Sequence, residues 1–212
     1  MSDISLNGIP LKQYGVISSI DYGSVDTETS YVDVPGSQTG SLDMSEADGR
    51  IKYRNHTIKI VVGALAERKN WKKIESDFMA RFAGKRCTVR SDDYPGKYAV
   101  GRLESIMPTY DHRIRYLTVS INAEPWWYND AETVVQKTVS GTQQITLANA
   151  KKPVVPKIEG PAGMKVTLGK ETVILQGTGA ETYLEICLEE GKNTLTVIGT
   201  GTIKFTYTEA QL

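Results

Sequence analysis

Residues 31–62, YVDVPGSQTGSLDMSEADGRIKYRNHTIKIVV, read as two extended limbs joined by a long polar loop. The first limb, 31–34, breaks at Pro35-Gly36, where proline fixes its own φ and glycine is free to take φ > 0. A loop rich in Gly, Ser, Gln, Asp and Glu follows, carrying Asp43, Glu46 and Asp48. The chain then returns as an alternating run over 51–62. Ile51, Tyr53 and Asn55 share one face, and Ile58, Ile60 and Val62 continue an apolar face after Asn55-His56. A strand of about 12 residues spans ~40 Å, more than a typical strand. It therefore either crosses a whole sheet or projects from it as an arm. A loop this long and hydrophilic is a contact element rather than core.

Working outward toward the amino terminus, 21–29 reads as polar linker and 11–20 as a strand region with Ile17 and Ile20 alternating. Residues 4–9 form a strand that turns at Asn7-Gly8, a strong hairpin dipeptide. Toward the carboxyl terminus, 64–83 is the one predicted helix. Trp71, Ile74, Phe78 and Phe82 fall on a single stripe, and Gly84 suits the position after the last turn. Short strands follow at 87–90, 97–106 and 113–123, with Pro95-Gly96 suited to the middle of a type II turn. The aromatic segment NAEPWWYN (122–129) closes this unit and gives a domain boundary near 130.

Beyond residue 131 the texture changes to glycine, threonine and valine. Strand candidates recur at 134–139, 144–147, 154–159, 165–168, 171–175, 183–187, 193–197 and 202–208, with Gly-Thr-Gly read as the turn before the last. Short strands at regular spacing predict a β-sandwich. The expected fold is mainly β: a first domain over 1–130, a β-sandwich with one α-helix and an extended β-hairpin arm, then a small jelly-roll or galectin-like β-sandwich over 131–212.

The chain has 212 residues, with 25 basic side chains against 25 acidic ones. That balance gives no global electrostatic support to a nucleic-acid or anionic-membrane partner. The start, MSDISLNG, has no secretory pattern, and no apolar run approaches a membrane span. The catalytic inventory is thin. His56 and His112 are the only histidines, with no nucleophile elbow and no metal-ligand spacing. Cys87 and Cys187 read as free thiols, Asp92-Asp93 as a solvated turn, and the Gly-Thr-Gly pairs lack the helix a phosphate loop needs. No catalytic residue, metal site or cofactor is expected. The aromatics of the second domain, Tyr183, Phe205 and Tyr207, suit a core better than a sugar-stacking platform.

The segments around Val34-Pro35-Gly36, Gly40, Leu42-Asp43 and Tyr53-Arg54 with Ile58 resemble the amino-terminal domain of the distal tail proteins of long-tailed bacteriophages or related prophage tails. The opening LNGIPLKQYGV, and the helix followed by the GKYAVGRL hairpin, resemble it too. The resemblance implies a homohexameric ring at the tail tip, built in the host cytoplasm and carried in the virion. The ring joins the tail tube and tape-measure protein to a tail-associated lysin or receptor-binding protein, with DNA passing only in transit. Subunit contacts are expected from Tyr31, Val34, Pro35, Gly36, Tyr53, Arg54, Ile58 and Ile60, and a lumen-facing loop from Asp43, Glu46 and Asp48. Two alternatives stand beside this reading. One is a carbohydrate-binding β-sandwich that attaches to the host surface; the other is a lysin accessory domain.

Overall fold

The computed structural model describes residues 3–33, 35, 40–47, 49–65, 67–111 and 114–212, and the chain divides into two compact units, Met1–Pro125 and Trp126–Leu212. The division falls inside a strand rather than at residue 130.

In the first unit, β1 (Ile4–Leu6) and β2 (Ile9–Pro10) form the expected hairpin, with Asn7 at φ 52° and Gly8 at φ 77°. A 3-10 turn (Leu11–Gln13) leads to β3 (Val16–Asp21). The excursion over 22–55 holds a short ribbon of β4 (Tyr31–Val32) and β5 (Leu42–Asp43), and β6 (His56–Leu65) returns to the sheet. Then come α1 (Arg68–Phe82), β7 (Arg86–Ser91), β8 (Lys97–Asp111) and β9 (Ile114–Asn129). The sheet runs β2-β1-β7-β8-β9-β6-β3.

Connectivity shows that this sheet is curled. Six interstrand steps of ~4.8 Å would separate β2 from β3 by ~29 Å if the sheet were flat. Only five residues join them, three in a 3-10 turn that rises ~2 Å per residue. Tyr22, just past β3, also reaches Ser91 at the end of β7. The two ends of the sheet thus approach each other and enclose Ile58, Ile60 and Val62 of β6, Leu117, Val119 and Ile121 of β9, and Ile4 and Leu6 of β1, all buried. Trp71, Phe78 and Phe82 bury the predicted helix stripe. The Tyr14 ring meets Phe78 edge-on at 5.0 Å. Each buried Phe contributes ~1.5–3 kcal/mol.

Several boundaries moved. The helix begins at Arg68 because 64–65 complete β6, where Ala64 and Leu65 pair with Arg115 and Ile114. The return strand begins at His56 rather than Ile51. β8 and β9 extend well past 106 and 123. The Pro95-Gly96 turn is as expected, with Gly96 at φ 72° and the Lys97 amide donating to the Tyr94 carbonyl.

In the second unit, β10 (Thr133–Asn149) pairs along its full length with β15 (Gly191–Tyr207). Between them lie β11 (Lys157–Glu159), β12 (Lys165–Leu168), β13 (Glu171–Ile174) and β14 (Ala180–Thr182). The last strand, β16 (Ala210–Gln211), pairs with Tyr128 and Trp127 at the end of β9. β12 and β11 share the other edge of β15, one on each half. Leu195 and Val197 on the first half and Ile203 and Phe205 on the second face one core. The ribbon therefore folds over that core and forms both layers of the sandwich.

Its corner is the Gly-Thr-Gly segment, which is continuous strand and not the expected turn. A Cβ on Gly201 (φ 133°) would lie 2.5 Å from Pro161 Cγ, and one on Gly199 would lie 3.0 Å from Met164 Cγ. Likewise the two expected strands 134–139 and 144–147 are one, with Gly141 opposite Gly199. Residues 183–187 are turn and irregular, not strand.

Candidate functional site

Residues 22–55 leave the first unit between β3 and β6. Their root is clamped on both limbs. On the outgoing limb, the Tyr22 hydroxyl donates to Asp93 at 2.7 Å, lies 2.5 Å from Ser91 Oγ, and its ring meets Tyr94 edge-on at 5.1 Å. Burial pushes its pKa up strongly. Gly23 (φ 65°) follows, where a Cβ would sit 2.7 Å from the Thr57 carbonyl oxygen. On the returning limb, His56 is buried, and burial lowers its pKa. Asp93 thus has a definite role: it anchors the root, while Asp92 accepts the Asp3 amide.

Above the root the limbs stay paired. Arg54 donates its amide to the Asp26 carbonyl and Glu28 donates to the Lys52 carbonyl, each at 2.8 Å, and Thr27 bridges Tyr53. The Thr27–Tyr53 bridge keeps the register of the Asp21–Lys59 pair, so the shaft is a direct extension of β3 and β6. A turn over 45–47 interrupts the return limb, and the Gly49 amide donates to the Glu46 carbonyl at 2.7 Å. Next, β4 and β5 pair Tyr31 with Asp43 and Val32 with Leu42.

This ribbon is amphipathic. Directly opposed residues share a face, and period two sets the rest. Tyr31, Asp33, Ser41 and Asp43 take one face. Val32, Leu42 and Met44 take the other. The polar face satisfies itself: Ser41 donates to Asp33 at 2.5 Å, and Asp43 accepts both the amide and the hydroxyl of Ser45. Those bonds hold the Asp43 carboxyl below its ordinary range. Among the described residues no core lies beneath the apolar face. Val32, Leu42 and Met44 keep 49%, 55% and 40% of their surface exposed, and Tyr31 keeps 62%. Apolar side chains exposed together on one face are candidates for contact with a partner.

The structure distributes the expected contact residues as follows. Tyr31 and Pro35 are exposed on the arm; Tyr53 is half-buried and Arg54 exposed on its shaft. Val34, Gly36 and Asp48 lie outside the described residues. Asp43 and Glu46 are exposed. Ile58 and Ile60 are a correction: they are fully buried, pairing with Ile121 and Val119 in the sheet, and offer no surface to a neighbour. Val32 and Met44 were missed, although their alternation with Tyr31 and Asp43 was present in the sequence. Among the described residues no group of three His, Cys, Asp or Glu side chains forms a metal cluster.

No family model matches, and no curated protein matches. Among solved structures, one aligns over 100% of both chains with a TM-score of 0.72 at 13% identity: the crystal structure of SPP1 Dit (gp 19.1), described as a paradigm of the hub adsorption apparatus in phages infecting Gram-positive bacteria. The two share one fold. At this identity the likeness extends to architecture across both units of the chain, and the arm and its exposed face are read from this chain's own residues.

Proposed function

We propose that the chain is a structural component of a phage tail tip. In this reading six copies form a ring through their first units, and the ring joins the tail tube and tape-measure protein to a lysin or receptor-binding component. DNA crosses its channel in transit, and the protein resides in the virion. The observation that carries the reading is the arm between β3 and β6, whose described residues form a paired, clamped ribbon with Val32, Leu42 and Met44 exposed on one face. The full-length likeness to SPP1 Dit, a hub protein by its description, supports the tail-tip assignment. A ring needs two unlike patches per copy, one of which the arm supplies. The role is one of assembly, with no catalytic step assigned to any residue. Asp43 belongs to the polar face of the arm and Glu46 is exposed in the turn beside it, and we assign these carboxylates to the lumen, where negative charge keeps DNA from adhering.

Light scattering during size-exclusion chromatography tests the ring. Six chains of 23.4 kDa give a mass of about 140 kDa. A species of that mass with a central hole in negative-stain images is expected; a monomer at every concentration counts against the reading. The carbohydrate-binding alternative has less support. Phe205 and Tyr207 are buried, and the Tyr183 hydroxyl is engaged by Glu181 and the Ile174 carbonyl. A glycan-dependent rise in melting temperature would revive it.

A further inference from the structure

His56 is a buried titratable side chain for which an assembly role has no use, and it lies where the arm meets the sheet. Register fixes its position. It begins β6 and pairs with Ala123 of β9 on one side. On the other side the Asp21–Lys59 and Thr27–Tyr53 pairs run in one register, which puts Ser24 of the outgoing limb opposite His56 and Tyr22 opposite Ile58. Opposed residues share a face. His56 therefore follows Ile60 and Ile58 as the last rung of the core face, with Tyr22 beside it. The side chain is 7% exposed, and its Nδ1 is buried without a hydrogen-bond partner. What lies against it from the arm is backbone: a Cβ on Gly23 would sit 3.6 Å from the His56 Cδ2. The outgoing limb thus keeps water from the ring only while the root stays closed.

The surroundings offer little to balance a charge there. β9 presents Ala123, and Glu124 next to it pairs with Arg86. On the outgoing limb the Asp21 carboxylate accepts the Gly23 amide at 2.9 Å. Beyond β7, Asp93 accepts the Tyr22 hydroxyl and Asp92 the Asp3 amide. On β6 itself Lys59 is exposed and points to the opposite face. The Cys87 thiol of β7 is pushed up to about 11 by burial and stays uncharged near neutral pH. Burial lowers the His56 pKa, with no carboxylate among the described residues raising it.

We infer that His56 is an acid-sensitive latch: when its ring takes up a second proton, the root of the arm opens while the rest of the first unit stays folded. The latch belongs to a single chain and holds whether or not copies assemble. Proton counting sets its direction. In the closed root the imidazole resists protonation; in the open root it meets water and titrates near its ordinary value of 6.5. The open root therefore binds the proton first. The closed root keeps its full advantage above about pH 6.5 and loses it as pH falls toward the lowered closed-state value. Between those two values each pH unit shifts the opening equilibrium by up to about tenfold.

Hydrogen exchange of the full-length chain, read by mass spectrometry between about pH 7.5 and about pH 5, tests the latch, with labelling times scaled to the intrinsic rate at each pH. The expected result is a loss of protection confined to peptides holding Tyr22 to Ser24 and Asn55 to Thr57, up to about tenfold per pH unit, with β8, β9 and the second unit unchanged. His56→Phe suits the same core face and takes no proton; it should keep the protection of the root near neutral pH and lack the acid step. His56→Gln is a second variant that does not titrate, for use where the phenylalanine chain fails to fold. His112→Gln removes the other histidine and should keep the acid step. Root protection in the parent that is flat across the range overturns the latch. So does an acid step that survives in His56→Phe or His56→Gln, one that His112→Gln abolishes, or a loss of protection spread evenly over β8, β9 and the second unit.

Discussion

The chain makes two ribbons from one alternating pattern and treats their apolar faces in opposite ways. In the β10–β15 ribbon, Val139, Ile145, Leu195, Val197, Ile203 and Phe205 all reach a single core, because Gly141, Gly199 and Gly201 allow the ribbon to fold over itself. The β4–β5 ribbon has the same alternation in Val32, Leu42 and Met44, yet among the described residues it pairs with no further strand. Its face remains uncovered. Alternation thus specifies a face, while the surrounding chain decides whether that face is covered.

Four changes break or sharpen this contrast. The largest effect falls on the folded-over ribbon: Phe205→Ala should cost about 3–5 kcal/mol, read by urea unfolding of the full chain. A loss comparable to an exposed substitution would mean that the ribbon does not wrap its core. At the root of the arm, Tyr22→Phe removes the hydroxyl shared with Asp93 and Ser91. It should cost ~1–2 kcal/mol and raise hydrogen exchange at Gly23 and His56 selectively; uniform exchange would deny the clamp.

The third change concerns pH. Amide donation from Gln176, then the Tyr183 hydroxyl and the Thr178 amide, hold the Glu181 carboxyl at about 2, against 4.5 when unperturbed. The folded value lies below the unfolded one, so this contribution is complete above about pH 4.5 and is lost as pH falls toward 2. Glu181→Gln should flatten that part of the stability–pH curve. An identical acid limb in the variant would show the 176–181 loop to be held by other means. The smallest effect on folding belongs to the arm. Leu42→Asp should leave stability within ~0.5 kcal/mol while abolishing assembly in light scattering. A large loss of stability would show that the arm face is covered within its own chain.

Much of this was legible in the residues. Asn7-Gly8 and Pro95-Gly96 specify their turns through backbone conformation alone, and the Trp71–Ile74–Phe78–Phe82 spacing specifies the helix face. The arm was visible because 31–62 is too long and too polar to be an ordinary hairpin. Its start was not, because Ile51, Tyr53 and Asn55 continue the same period two into a region with few partner strands, and local sequence does not reveal where pairing ends. For the same reason Ile58 and Ile60 read as contact residues although they are core. Gly-Thr-Gly read as a turn because glycine pairs usually punctuate; here they clear space for Pro161 and Met164, a constraint set some forty residues upstream.

One consequence follows from where the arm is rooted. Its two limbs depart from neighbouring strands already paired at Asp21 and Lys59, and almost none of its side chains enter the core. It is a cassette spliced into a hairpin: removing it and joining β3 to β6 by a short turn would leave the sheet its full complement of pairs. The length and surface of the arm are therefore free to diverge while the scaffold stays fixed.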